Sequence, residues 1–248
     1  MINIEVCVDN VESLFSAQQA GAHRIELCAA LSEGGLTPNA GLIEMAVKYA
    51  NVPVYSMIRP RCGDFLYSSF EVEMMLKDIY FAKQQGVQGV VFGVLNEYSE
   101  IDKDLLTVLM KAAKGVGVTF HRAIDCCVNY PAGLDVILSA GCERVLTSGL
   151  SNNALEGINI IKKMVKQSNE RLSIMAGAGV NSGNAIEIIK RTGVQELHLS
   201  AKHARQSLMK EVSACGKNSE FLAFSATEQR EISTLINVLN TDKNIKTR

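Results

Sequence analysis

Net charge is the first thing this sequence lacks. Lys and Arg total 25 against 26 Asp and Glu, leaving −1 over 248 residues, so nothing electrostatic favours a nucleic-acid or acidic-membrane partner. Apolar residues make up 47 % and charged residues 21 %, which excludes intrinsic disorder, a state of low hydrophobicity and charge excess. Long hydrophobic runs are missing too. The longest, Gly89–Leu95, falls far short of the roughly 20 residues that cross a bilayer. The first residues carry Glu5 and Asp9 and no basic stretch, so no signal peptide is expected and the cytosol is the expected compartment. There is no Cys-x-x-Cys, and the seven cysteines (7, 28, 62, 126, 127, 142 and 215) are odd in number. That argues against a disulfide framework or a zinc ribbon and for reduced, mostly buried thiols. Low-complexity tracts and linkers are absent as well.

What is present is a regular alternation. Apolar β-type runs occur at Ile2–Val8, Arg24–Cys28, Pro53–Ile58, Gly89–Leu95, Gly117–His121, Arg144–Thr147, Leu172–Ala176 and Gln195–Ser200. Helical stretches lie between them, among them Val11–Gln19, Asn39–Tyr49, Phe70–Gln85, Asp102–Ala113, Ala132–Ser139, Ala154–Gln167 and Ala185–Arg191. Gly21, Gly86, Gly141 and Gly193 each fall where a helix should stop, two or three residues before a strand. Eight βα units predict a parallel sheet, and no strand reads as a polar or proline-bearing edge. The expectation is a single α/β domain over 1–248, a closed (β/α)₈ TIM barrel, with an open doubly wound sheet as the alternative. A helix over Glu228–Leu239 and a basic tail (Lys243, Lys246, Arg248) form a less certain C-terminal extension from about 207.

Barrel chemistry sits at the C-terminal ends of the strands, and ionisable residues collect there. Period-two alternation puts Glu5, Cys7 and Asp9 on one face of strand one, Glu26 and Cys28 on one face of strand two, and Glu196, His198 and Ser200 on one face of strand eight. Strand three runs into Arg59 and Arg61, and strand five into His121, Arg122 and Asp125. A buried Glu needs a partner, and these groups could form a self-satisfied network. The alternative is a polar pocket for a small anionic or phosphorylated metabolite. In that enzyme reading Glu5 or Glu26 is the general base, His121 or His198 the acid, and Arg59 with Arg61 the anion clamp. Gly177 and Gly179 after strand seven, with Ser200 after strand eight, suit a phosphate site, because glycines let backbone N–H groups approach an anion. His23, before strand two, reads as a surface or capping residue.

Several segments also resemble a known family. Ile4-Glu-Val-Cys-Val, Ala22-His-Arg-Ile-Glu-Leu-Cys-Ala, Ser32-Glu-Gly-Gly-Leu-Thr-Pro, Met57-Ile-Arg-Pro-Arg, Val118-Thr-Phe-His-Arg-Ala, Arg144-Val-Leu-Thr-Ser-Gly and Met175-Ala-Gly-Ala-Gly-Val together look like the CutC family of copper homeostasis proteins, from residue 4 to about 202. Cys62 stands where that pattern usually has Gly, and the region after Ser207 follows it poorly. The resemblance implies a cytosolic TIM barrel, a role in copper handling and Cu(I) held by Cys7 and Cys28. Each of those thiols follows a Glu by two residues, so they are expected at equivalent positions of neighbouring strands. Strands about 4.8 Å apart match the roughly 4.6 Å spanned by two metal–sulfur bonds, and Cu(I) prefers soft thiolates. The oligomeric state is left open, a homo-oligomer included.

Overall fold

The computed structural model describes residues 2–209 and 223–242. The strands are β1 (Asn3–Val8), β2 (Arg24–Leu27), β3 (Val54–Met57), β4 (Gly89–Phe92), β5 (Gly117–Phe120), β6 (Arg144–Thr147), β7 (Ser173–Ala176) and β8 (Glu196–Leu199). All neighbours are parallel, and β1 pairs with β8 to close the barrel. The expected closed barrel is therefore the observed one, and the open sheet is not. The helices that follow are α1 (Val11–Gln19), α2 (Ala40–Tyr49), α3 (Ser69–Gln85), α4 (Lys103–Ala112), α5 (Tyr130–Ala140), α6 (Ile158–Ser168) and α7 (Ala185–Thr192).

Local chemistry sets their ends. Asn10, Asn39, Asp102 and Asn129 cap α1, α2, α4 and α5 through side-chain oxygens, and Ser68 with Glu71 forms a reciprocal capping box on α3. At the far ends Gly86 and Gly141 take positive φ of 95° and 87°, the left-handed turn that glycine adopts without a Cβ penalty. α6 starts at Ile158 rather than Ala154, because residues 149–157 form turns against β6 and β7.

Strand alternation divides the barrel into two environments. Ile4, Val6, Val8, Ile25 and Leu27 face outward into the main apolar core with the buried faces of the helices. The inward face of β1 carries Glu5 and Cys7, which stand apart from that core. Most barrels fill this interior with branched aliphatics. Here an ion network takes their place, and Tyr55 lies across it. Gly89 and Gly117 make room for that ring, since a Cβ on either would come within 2.1 Å and 2.3 Å of Tyr55.

The C-terminal part departs from expectation. After β8 the chain forms β9 (Lys202–Gln206), antiparallel to β10 (Ala223–Thr227), and then α8 (Gln229–Thr241). β9 is Lys-His-Ala-Arg-Gln, mostly exposed, and has no apolar alternation to announce it. Helix α8 is not an appendage. Ile232, Leu235 and Leu239 are buried, and it packs on both α1 and α7, so it is the eighth barrel helix. Cys215 and the basic tail lie outside the described residues. Among the described residues no helix is long and apolar enough to cross a membrane.

Candidate functional site

The interior is built upward from β1, β2 and β8. Their register sets Glu5 between Arg24 and His198. Arg24 donates Nε to Glu5 and Nη2 to Glu196. Arg144 donates Nε to Glu196 at 3.3 Å and Nη1 to Thr119 at 3.2 Å, and both guanidinium groups lie over the Tyr55 ring. Two arginines thus answer two carboxylates where water is excluded, the condition for tolerating buried charge. Burial would raise the Glu5 carboxyl, but Arg24 and His198 outweigh it and hold it at about 2.

His198 connects this network to the mouth. Its Nδ1 lies 2.8 Å from Glu5 Oε1 and its Nε2 3.7 Å from Glu26 Oε2. Burial alone would lower it, yet Cys7 and the two carboxylates raise it well above its ordinary value. Glu26 is fully enclosed, and burial pushes it up to about 7 against the pull of His198. Its Oε2 accepts the Cys28 thiol at 3.5 Å, while its Oε1 has no partner. Cys7 donates its thiol weakly to Leu199 O at 3.7 Å. One ligand atom each from Cys7, Glu26 and His198 lie within 4.8 Å of one another.

The two thiols do not stand at equivalent positions of neighbouring strands. The β1–β2 register pairs Cys7 with Glu26, not with Cys28, because barrel shear offsets neighbouring parallel strands. Cys28 stands one pleat further on, among Tyr55, Met57 and Val91. Its thiol is raised well above the usual range by burial and by Glu26.

Above these residues opens a cavity of about 450 Å³, lined by Cys7, Glu26, Met57, Arg59, Phe65, His121, Arg122, His198 and the loops after β7 and β8. The structure brings Glu26, Arg59, His121 and His198 to it, and Glu5 lies against His198. It does not bring Arg61. Asp64 and Glu71 hold that guanidinium on the outer loop, with its side chain 37 % exposed, so Arg61 is no part of a clamp in the cavity. Gly177 is also reassigned. Its N–H donates to Thr147 O, and a Cβ there would meet Leu146 Cδ1 at 2.5 Å, so it is a packing glycine with no N–H to offer an anion. Gly179 and Ser200 do line the cavity.

His121 accepts the Ala123 N–H at Nδ1, which leaves the proton on Nε2, a buried atom without a partner. Burial, and then the Arg59 charge, push its pKa down to about 3. His23 is exposed and accepts the Ile4 N–H at Nδ1, the capping role expected of it. Arg122, from the end of strand five, and Lys202, just after strand eight, also face the cavity, and so do Met57 and Phe65, which sequence reading did not assign to it. Met57 alternates with Tyr55 along β3, which was the signal available. Phe65 comes from a loop, which carries no periodicity to read.

The chain is a closed (β/α)₈ barrel with buried acids, a histidine and a thiol beneath an open mouth, a candidate ligand or metal site. Comparison with known proteins gives the lineage: the CutC family model matches residues 2–203, and the chain belongs to that family. A CutC protein of Photobacterium profundum is 59 % identical over 208 residues, covering 84 % of this chain and 85 % of the relative. One from Pasteurella multocida is 52 % identical over 221 residues, covering 88 % and 91 %. The crystal structure of CutC from Streptococcus agalactiae, whose name provisionally gives it a role in copper homeostasis, is 34 % identical with a TM-score of 0.77, covering 81 % of this chain and 99 % of that one. A thiamine phosphate pyrophosphorylase from Pyrococcus furiosus, at 13 % identity and TM-score 0.59 over 96 % of each chain, shares the fold alone.

Proposed function

We propose that this chain handles copper in the cytosol, as the name of the Streptococcus agalactiae relative suggests for that protein, and takes up Cu(I) at the floor of the barrel mouth. The observation that carries this is the cluster of Cys7, Glu26 and His198 within 4.8 Å. Its donor chemistry fits the ion. The thiolate is soft and the imidazole suits copper. Glu5 on His198 Nδ1 directs Nε2 toward the other ligands, the arrangement by which an outer carboxylate orients a metal-binding histidine. Met57 and Cys28 add soft sulfur nearby. The principal ligands in this reading are Cys7 and His198, with Glu26 balancing charge and Cys28 in a supporting place. Anaerobic Cu(I) titration against a competing chelator tests it. Cys7→Ser and His198→Gln should each lose the tightest equivalent, and Cys28→Ser should weaken it less. If the wild-type protein binds no copper, or the Cys7→Ser, Cys28→Ser pair binds it unchanged, the reading fails.

A second reading rests on the Glu5–His198–Glu26 chain at the C-terminal mouth, where barrel enzymes keep their chemistry. It makes the protein an enzyme on a small anionic metabolite, with Glu26 as base and His198 as proton donor. Turnover surviving in Cys7→Ser and lost in Glu26→Gln would favour it over the copper site.

A further inference from the structure

Arg59 is a buried cation without an anion. It is 7 % exposed. Its Nη1 donates to the carbonyls of Glu33 at 2.9 Å and Gly35 at 3.1 Å, and its Nη2 to that of Gly63 at 2.9 Å. The guanidinium stacks 5.1 Å from the Phe65 ring. Carbonyls and a ring orient a charge but do not neutralise it, and among the described residues no carboxylate pairs with Arg59. Its Nε is buried and unpartnered. Arg24, the other buried arginine, and the half-buried Arg144 each have a carboxylate within 4 Å. A buried charge left unpaired is costly, and an unsatisfied buried group in a native protein calls for a cause, such as strain, a catalytic role, or a bound water or ion.

A second buried group lies on the same cavity. The His121 Nε2–H has no acceptor, and its ring packs 4.9 Å from Phe65, the residue that also stacks under Arg59. The Ala123 N–H fixes the tautomer, so His121 presents a donor and not an acceptor. The cavity lining therefore includes a positive charge and a neutral imidazole, each with one buried N–H that has no acceptor. Glu26 lines the same cavity, and its Oε1 is a buried acceptor without a partner. The remaining wall includes Leu31, Met57, Leu146 and Leu199.

We infer that Arg59 and His121 form the anion-recognising pole of a small-molecule site, for an organic anion whose carboxylate or phosphate head meets these donors and whose hydroxyl meets Glu26. The site deepens the second reading above, places the head at Arg59 and His121 and not at the loops after β7 and β8 that line the same cavity, and does not depend on a metal at Cys7. The cavity, at about 450 Å³, is of the size that takes a small molecule.

Thermal unfolding and isothermal titration with two probes test this: inorganic phosphate, a head group alone, and malate, a carboxylate with a hydroxyl. Malate should raise Tm by at least about 2 °C at saturation, as mass action requires of a ligand bound only by the folded state. Arg59→Lys and His121→Phe should each weaken binding at least tenfold, and Lys202→Ala should weaken it less than either. Tighter binding of phosphate than malate, lost in the same two variants, assigns the head to the phosphate class and also supports the site. Arg59 braces two loops, so its variant could lose structure. The intact protein labelled with ¹⁵N-histidine supplies the independent measurement, since the His121 Nε2 resonance should move on adding the anion. No response to either anion overturns the proposal. So does a still His121 resonance, or binding lost in Lys202→Ala and kept in Arg59→Lys, which would move the anion to the β7 and β8 loops.

Discussion

Replacing Arg24 with Met keeps most of the side-chain volume and removes the charge that holds the barrel interior together. Two carboxylates lose their main partner at once, Glu5 on Nε and Glu196 on Nη2, and the packing of the guanidinium over Tyr55 goes with them. Arg144 still serves Glu196, and His198 still serves Glu5, so neither acid is wholly abandoned. Breaking a buried pair by removing one partner costs roughly 3–5 kcal/mol, which for a chain of this size lowers Tm by roughly 6–20 °C. The loss has a characteristic pH dependence. In the native protein the Glu5 carboxyl sits at about 2 against an ordinary 4.5. Its contribution is therefore fully present above pH 4.5 and fades as pH falls toward 2. Without Arg24 the folded carboxyl rises and takes up a proton more easily. The gap between wild type and variant should be widest at neutral pH and should narrow in acid. Urea unfolding followed by circular dichroism at pH 7 and pH 3 measures it, and adding Glu5→Gln to the Arg24 variant should recover part of the loss. A loss below about 1 kcal/mol that does not change with pH would show that the network is solvated, and the argument would fall.

His121 makes the complementary prediction. It is held neutral at about 3 against 6.5, so the stability it contributes is complete above pH 6.5 and lost as pH falls toward 3. The slope is up to about 1.4 kcal/mol per pH unit, and His121→Phe should flatten it in acid denaturation curves. Gly177→Ala should cost roughly 1–3 kcal/mol, because the new methyl meets Leu146 and His198; an unchanged Tm would restore Gly177 as a flexible loop glycine. Asp125→Ala should loosen the loop after β6, since Asp125 accepts from the Thr147 hydroxyl, the Ser148 N–H and the Leu150 N–H. Faster hydrogen exchange confined to residues 148–152 would show it, and unchanged protection there would refute it.

Much of this protein was legible before folding. The eight strands, the glycine stops and the closed barrel follow from short-range rules: period-two burial, left-handed helix ends, and the repeat of one βα unit. The ionisable residues of the mouth were legible for the same reason, because strand alternation alone places Glu5, Cys7, Glu26, Cys28 and His198 on inward faces. What the chain does not state locally is which inward residue meets which. Barrel shear decides that, and it sets Cys7 beside Glu26 rather than Cys28, turning an expected pair of thiols into a mixed Cys–Glu–His cluster. Loops decide the rest. Arg59 and Arg61 are two residues apart and alike in sequence, yet Asp64 and Glu71 draw one outward while the carbonyls of Glu33, Gly35 and Gly63 hold the other in the wall of the cavity. Strand and helix follow from neighbours along the chain. The partner of a charge is chosen by groups distant in sequence, and only the folded barrel brings them within reach.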